Sequence, residues 1–152
     1  MNAASINTAE EQLKTSESAA FLTNGTSMRP LIRAHKDIVV ISRVQKPLKE
    51  GDVPLYKKDG ADKLILHRII DIAPDGTYII RGDNTYSKEY IPQCDIIGVM
   101  TALYRGGKYI DCKTSKLYKV YIKVNRFLYP VRYLWKVKIR PILVKIVKKI
   151  IK

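Results

Sequence analysis

Ser27 sits in the run Gly25-Thr26-Ser27-Met28-Arg29-Pro30-Leu31, and His67-Arg68-Ile69 follows 40 residues later. Gly82-Asp83-Asn84 comes next, with apolar runs between the three motifs. A serine hydroxyl is a poor nucleophile at neutral pH, because its proton must leave as the oxygen attacks. A base within hydrogen-bond reach solves this, and histidine suits the task near pH 7. The pattern suggests a serine nucleophile, a histidine base and a supporting turn. Pro30 fixes its own φ and biases Arg29 away from the helical region. Gly25 tolerates backbone angles that other residues resist. Ser27 is therefore expected on a rigid, non-helical turn framed by Gly25, Met28 and Pro30, its backbone N–H facing a developing oxyanion. Taken singly, the residues have plainer readings. Ser27 alone is a turn serine. His67 alone is a core histidine sharing a face with Ile65 and Ile69, and apolar neighbours of that kind keep an imidazole neutral. His35 adjoins Lys36 and Asp37 and reads as a surface residue.

Such groups need a frame. A chain of 152 residues with 46% apolar content fits one folded domain with a short appendage. Residues 1–20 are polar and small, and Thr8-Ala9-Glu10-Glu11 fits a capping box opening a short helix. From Phe21 the texture becomes β-like. Ile38-Val39-Val40-Ile41 is a β-branched run, and 53–56 is a weaker one. Residues 63–72 are apolar on both faces, as in a strand buried on two sides. Pro74-Asp75-Gly76 is a turn signal, so 63–81 reads as a hairpin. Residues 95–104 form the next strand, and Gly106-Gly107 turns the chain into 108–110. Short strands at this spacing predict a compact, mainly antiparallel barrel or sandwich over 21–112.

Residues 113–152 differ. They hold 13 Lys/Arg and no acid, whereas 1–112 hold 15 Lys/Arg against 14 Asp/Glu. A near-neutral body thus carries a cationic tail. Leu117, Val120, Tyr121, Val124 and Leu128 follow helical spacing, with Lys116, Lys119, Lys123 and Arg126 opposite. Ile142, Leu143, Ile146, Val147, Ile150 and Ile151 repeat the pattern against Lys145, Lys148, Lys149 and Lys152. Pro130 and Pro141 are expected to break the tail into two or three short amphipathic helices. Such helices suit an anionic membrane surface, with Lys119, Lys123, Arg132, Trp135, Lys145 and Lys148 as the contacting residues. Packing of the apolar stripe on the β-domain is the plainer alternative. The aliphatic content disfavours a nucleic-acid arm. No apolar run approaches the ~20 residues of a membrane span, and no secretory signal is seen. A peripheral location is expected, with the cytoplasmic face favoured.

Cys94 and Cys112 form no metal-ligand pattern, and free thiols in a reducing compartment are expected, a bridge between them staying open. No metal, nucleotide or redox cofactor is implied.

The ordered set Ser27-Met28-x-Pro30, Gly51-Asp52-Val53, His67-Arg68-Ile69, Gly82-Asp83-Asn84 and Ile97-Gly98-Val99 resembles the signal peptidase I and LexA-like serine peptidase superfamily. The histidine form is similar to the endoplasmic-reticulum, archaeal and sporulation-type signal peptidases. The resemblance covers roughly residues 21–110. It implies Ser27 as nucleophile, His67 as general base and a supporting Gly82-Asp83-Asn84 turn. It further implies a carboxylate that orients the base. The matching position holds Glu89 rather than aspartate, so the third member stays open between Asp83 and Glu89. Gly25 stands where many relatives carry a serine that assists the oxyanion hole. Losing one such donor costs about 10²–10³ in rate, which suggests a slow enzyme. The family's usual N-terminal anchor is not seen. The expected activity is therefore serine endopeptidase action on a peptide or preprotein near a membrane. The alternative is a non-catalytic peptide-binding or scaffold member on the membrane surface. A self-cleaving LexA-type regulator is disfavoured, because that mechanism resembles a Ser/Lys dyad and only about 20 residues precede the serine motif.

Overall fold

A computed structural model describes residues 11–57 and 63–150, the side chains of 148–150 excepted. The chain divides into two compact units, Met1–Tyr118 and Lys119–Lys152.

The first unit is mainly β, a curled antiparallel half-barrel. Its strands are β1 (Ser18–Leu22), β2 (Ile38–Ser42), β3 (Pro54–Lys57), β4 (Leu64–Leu66), β5 (Arg68–Ile72), β6 (Tyr78–Arg81), β7 (Glu89–Ile91), β8 (Ile96–Arg105) and β9 (Lys108–Asp111). The larger sheet runs β1-β2-β8-β3-β4, with β9 also on β8, and the smaller runs β5-β6-β7. The β-branched run of β2 buries Val39 and Ile41 and leaves Ile38 exposed, as a pleated strand with one core face requires. Register shifts at Val40/Ile41 and Leu55/Tyr56 bend β2 and β3 against β8 and help the sheet curl. Gly98 permits the close packing of β8 on β2. A Cβ there would lie 2.6 Å from Ile41 Cγ2 and 3.0 Å from the Ser42 carbonyl oxygen. A cluster of Leu48, Tyr56, Ile69, Tyr78, Ile80 and Ile91 joins the two sheets. Each such side chain contributes roughly 1.5–3 kcal/mol by burial.

The structure corrects the expected strand over 63–72. That run breaks at His67 into β4, which pairs with β3, and β5, which pairs with β6. The hairpin is therefore 68–81 only. Apolar residues on both faces hide the point where a chain passes from one sheet to another. Strand β7 was not expected. It adds to β6 with Glu89 opposite Ile80. The lead-in over 1–20 holds a short helix, as its sequence allowed, but the β structure begins before Phe21. Residues 11–15 are helical with Leu13 buried, and β1 starts at Ser18. Thr8, Ala9 and Glu10 of the capping box lie outside the described residues. Cys94 and Cys112 are free thiols. Burial pushes Cys112 up to about 11.

Helix α1 (Lys116–Tyr133) begins in the first unit, with Tyr118 buried there. In the second unit it continues into a π-helical segment, Leu134–Ile139, and then α2 (Arg140–Ile150). Pro130 was expected to end a helix and instead lies inside α1. The loss of one N–H there is tolerated within an 18-residue helix. Pro141, also expected to break the tail, is the second residue of α2, which follows the π segment through a helical Arg140 without interruption. The widened π turn precedes it and relieves the clash of its ring with the carbonyl four residues back.

Candidate active site

Ser27 lies in the loop of residues 23–37 between β1 and β2, at the start of a run of turns. The residues after it fasten that loop to the core. Met28, Leu31 and Ile32 are all buried. Asp37, also buried, accepts from the Arg33 backbone N–H at 2.9 Å and from its guanidinium at 2.7 Å. Burial alone would raise the Asp37 carboxyl, but the Arg33 hydrogen bonds hold it below the usual carboxylate range. From the other side, Asn84 N–H donates to the Ser27 carbonyl at 2.7 Å, and Asn84 Nδ2 donates to the Thr26 carbonyl at 3.3 Å. The turn after β6 thus grips the serine turn directly.

His67 occupies the crossing from β4 to β5 and is 7% exposed. Its Nε2 and the Ser27 carbonyl both approach Gly82. A Cβ at Gly82 would lie 3.0 Å from His67 Nε2 and 2.8 Å from the Ser27 oxygen. A side chain at position 82 would therefore collide with both the serine turn and the ring, which is the physical reason for glycine there. The Nδ1 edge meets two oxygens. Glu89 Oε1 is 3.4 Å away and Tyr56 Oη is 3.2 Å away. Tyr56 also donates to Glu89 Oε2 at 3.1 Å. Burial, together with the Glu89 charge, pushes the Tyr56 phenol far above its ordinary value.

Asp83, the other carboxylate open as the third member, is engaged by Arg68. Arg68 Nε and Nη2 donate to its two oxygens at 2.8 and 2.7 Å, and both residues are buried. Arg68 also donates to the Gly51 carbonyl at 2.7 Å and to the Tyr118 hydroxyl at 3.2 Å. Burial opposes its charge, but Asp83 offsets that and raises the guanidinium above its ordinary value. The carboxylate that the fold sets against His67 is therefore Glu89, carried by β7.

Ser27 and His67 line one groove of about 620 Å³. One wall follows the end of β1 and the serine turn, from Phe21 to Met28, and the opposite wall follows β4, from Lys63 to His67. Ile32, Val39, Ile41 and Leu55 also line it. Strands β1 and β4 are the two ends of the curled sheet, so the groove runs between edge strands. Of the expected site residues, Gly25, Ser27, Met28, His67 and Glu89 line it, whereas Asp83 is held in the pair with Arg68. Among the described residues, a Cβ at Gly25 would meet only Ser27 Oγ, at 3.8 Å.

Lys119, Lys123, Arg132, Trp135 and Lys145 belong to the second unit. Trp135 is exposed, and Arg132 donates to Asn125 Oδ1. The side chain of Lys148 lies outside the described residues.

Sequence reasoning missed Tyr56. Its signal was a tyrosine following Pro54 and Leu55 in a short strand, whose hydroxyl must find a partner once buried. It missed the bridging role of Arg68 as well, because His67-Arg68-Ile69 was read for its histidine.

No curated protein matches the chain significantly. The model of the family described as Peptidase S24-like matches residues 3–101, and that span holds both walls of the groove, the serine turn, the histidine at the strand crossing and the glutamate behind it. On this match the chain belongs to the Peptidase S24-like family, within the LexA and signal-peptidase-like serine peptidases.

Proposed function

We propose that this chain is a serine endopeptidase that cuts an extended peptide or preprotein segment at a membrane surface. The observation that carries the reading is the placement of His67, with Glu89 and Tyr56 at Nδ1 and the serine turn on the Nε2 side. In this reading Ser27 Oγ attacks the scissile carbonyl carbon as its proton passes to His67 Nε2. The C–N bond then breaks, and Nε2 returns the proton to the departing amine. Water hydrolyses the acyl-enzyme by the same relay in reverse order. The backbone N–H of Ser27 serves the oxyanion. The groove between two sheet edges suits a substrate in extended form, bound by main-chain hydrogen bonds as an added strand.

A mass-spectrometric screen of the purified protein against a peptide library tests the reading. Cleavage at one or a few defined bonds is expected, and it should be absent from a Ser27→Ala control. Gly25, beside Ser27 Oγ without a donor side chain, favours the second reading, a peptide-binding member that does not cut. Retention of peptides with no cleavage would select that reading and overturn ours.

Membrane attachment rests on the second unit. Among the described residues no helix is long and apolar enough to cross a membrane. Phe127 and Ile142 are exposed, as is Trp135, on helices rich in lysine. Each basic residue near an anionic surface contributes ~1 kcal/mol. Reversing Lys119, Lys123 and Lys145 to Glu should therefore weaken sedimentation with phosphatidylserine vesicles at least about tenfold. Equal sedimentation of parent and variant would remove the tail from the proposal.

A further inference from the structure

We infer that Tyr56 is a positioning residue for the base, its phenol bridging His67 Nδ1 and Glu89 so that the imidazole keeps its lone pair on Nε2. This rests on the reading of His67 as general base, and its test is separable from that reading.

A phenol has a single proton to donate, and an ionised carboxylate can only accept. Tyr56 Oη lies 3.1 Å from Glu89 Oε2 and 3.2 Å from His67 Nδ1. The proton therefore goes to Glu89. Toward the ring the phenol oxygen can only accept, so Nδ1 must carry the hydrogen. In a neutral imidazole the lone pair is then on Nε2, the atom beside Gly82 and the serine turn. The opposite tautomer would set an Nδ1 lone pair against the phenol oxygen and the carboxylate together.

Glu89 acting directly is a weaker device. Its Oε1 stands 3.4 Å from Nδ1, beyond the usual 2.7–3.2 Å of a good N–H···O bond. The phenol fills that gap. It is also fixed in place. Tyr56 is 0% exposed, belongs to the cluster that joins the two sheets, and meets the imidazole edge-on with planes at 63°. With its proton retained through the neutral range, the phenol remains a donor to Glu89 at any pH where the base is needed. A buried tyrosine on β3 thus aligns a histidine on the strand crossing with a glutamate on β7.

The test is Tyr56→Phe in a His35→Asn background. His35 is the only other histidine, and it is exposed at φ 59°, a conformation asparagine adopts readily. A single imidazole then remains for long-range ¹H–¹⁵N NMR, which reads the tautomer without substrate. The His35→Asn protein should show the Nδ1–H form, and Tyr56→Phe should shift the ring toward Nε2–H. With a cleavable peptide, kcat should fall about 10- to 100-fold, as for other residues that orient a functional imidazole, while KM holds because Tyr56 is buried. An unchanged tautomer and unchanged kcat in Tyr56→Phe would overturn the inference. So would a shift in Glu89→Gln but none in Tyr56→Phe, since the relay would then run straight from carboxylate to ring. Full activity in Ser27→Ala and His67→Gln would sink the peptidase reading instead, and the tautomer measurement would still stand.

Discussion

Ser27→Ala and His67→Gln should each lower kcat/KM for a cleaved peptide by about 10⁴-fold or more, with little loss of fold. The expectation follows from which atoms each change removes. Ser27 contributes to the fold through its backbone, because Asn84 N–H bonds its carbonyl and the buried Met28 anchors the next position. Loss of the hydroxyl leaves those contacts in place. Glutamine at 67 preserves much of the volume beneath the groove but offers no nitrogen lone pair to take the proton. Steady-state cleavage and thermal unfolding of the same preparations check both halves. If both variants cut at the parental rate, the nucleophile and base lie elsewhere. If only His67→Gln retains cleavage, another group takes the serine proton.

Much of this site could be read along the chain because its chemistry is carried by short motifs. Ser27, His67 and the glycine-led turn each announce themselves within three or four residues. The β-branched run that became β2 did so as well, since one strand with a core face has its own period. The parts that stayed hidden depend on contacts between distant segments. The break at His67 is invisible because both sides of 63–72 are apolar, while its cause lies in the different partners β3 and β6. The choice between Asp83 and Glu89 turned on Arg68, which claims Asp83, and on β7, which carries Glu89 against His67. Tyr56 reads as one more apolar strand residue until its hydroxyl is located. Pro130 inside α1 shows the same limit: local propensity argued for a break, and the surrounding helix prevailed.

Arg68→Met should destabilise the first unit by about 3–5 kcal/mol, the usual consequence of removing one partner from a buried ion pair. Arg68 is 4% exposed and Asp83 5%, so the change strands a carboxylate away from water. It also removes the donors to Gly51 and to the Tyr118 hydroxyl at the start of α1, and the guanidinium that lies 5.7 Å from the Tyr118 ring centroid. For a chain of this size the loss corresponds to a fall in unfolding temperature of roughly 10 °C. The double variant Arg68→Met/Asp83→Leu should recover a large part of it, because no buried charge is then left without its partner. Urea unfolding of parent, both single variants and the double variant measures the coupling. A loss below about 1 kcal/mol in Arg68→Met would mean that water or another group satisfies Asp83. The site is expected to respond too. Asp83 lies between Gly82, which admits the imidazole, and Asn84, which holds Ser27. Recovery of stability in the double variant without recovery of cleavage would show that the ion pair sets the position of that turn as well as the strength of the fold.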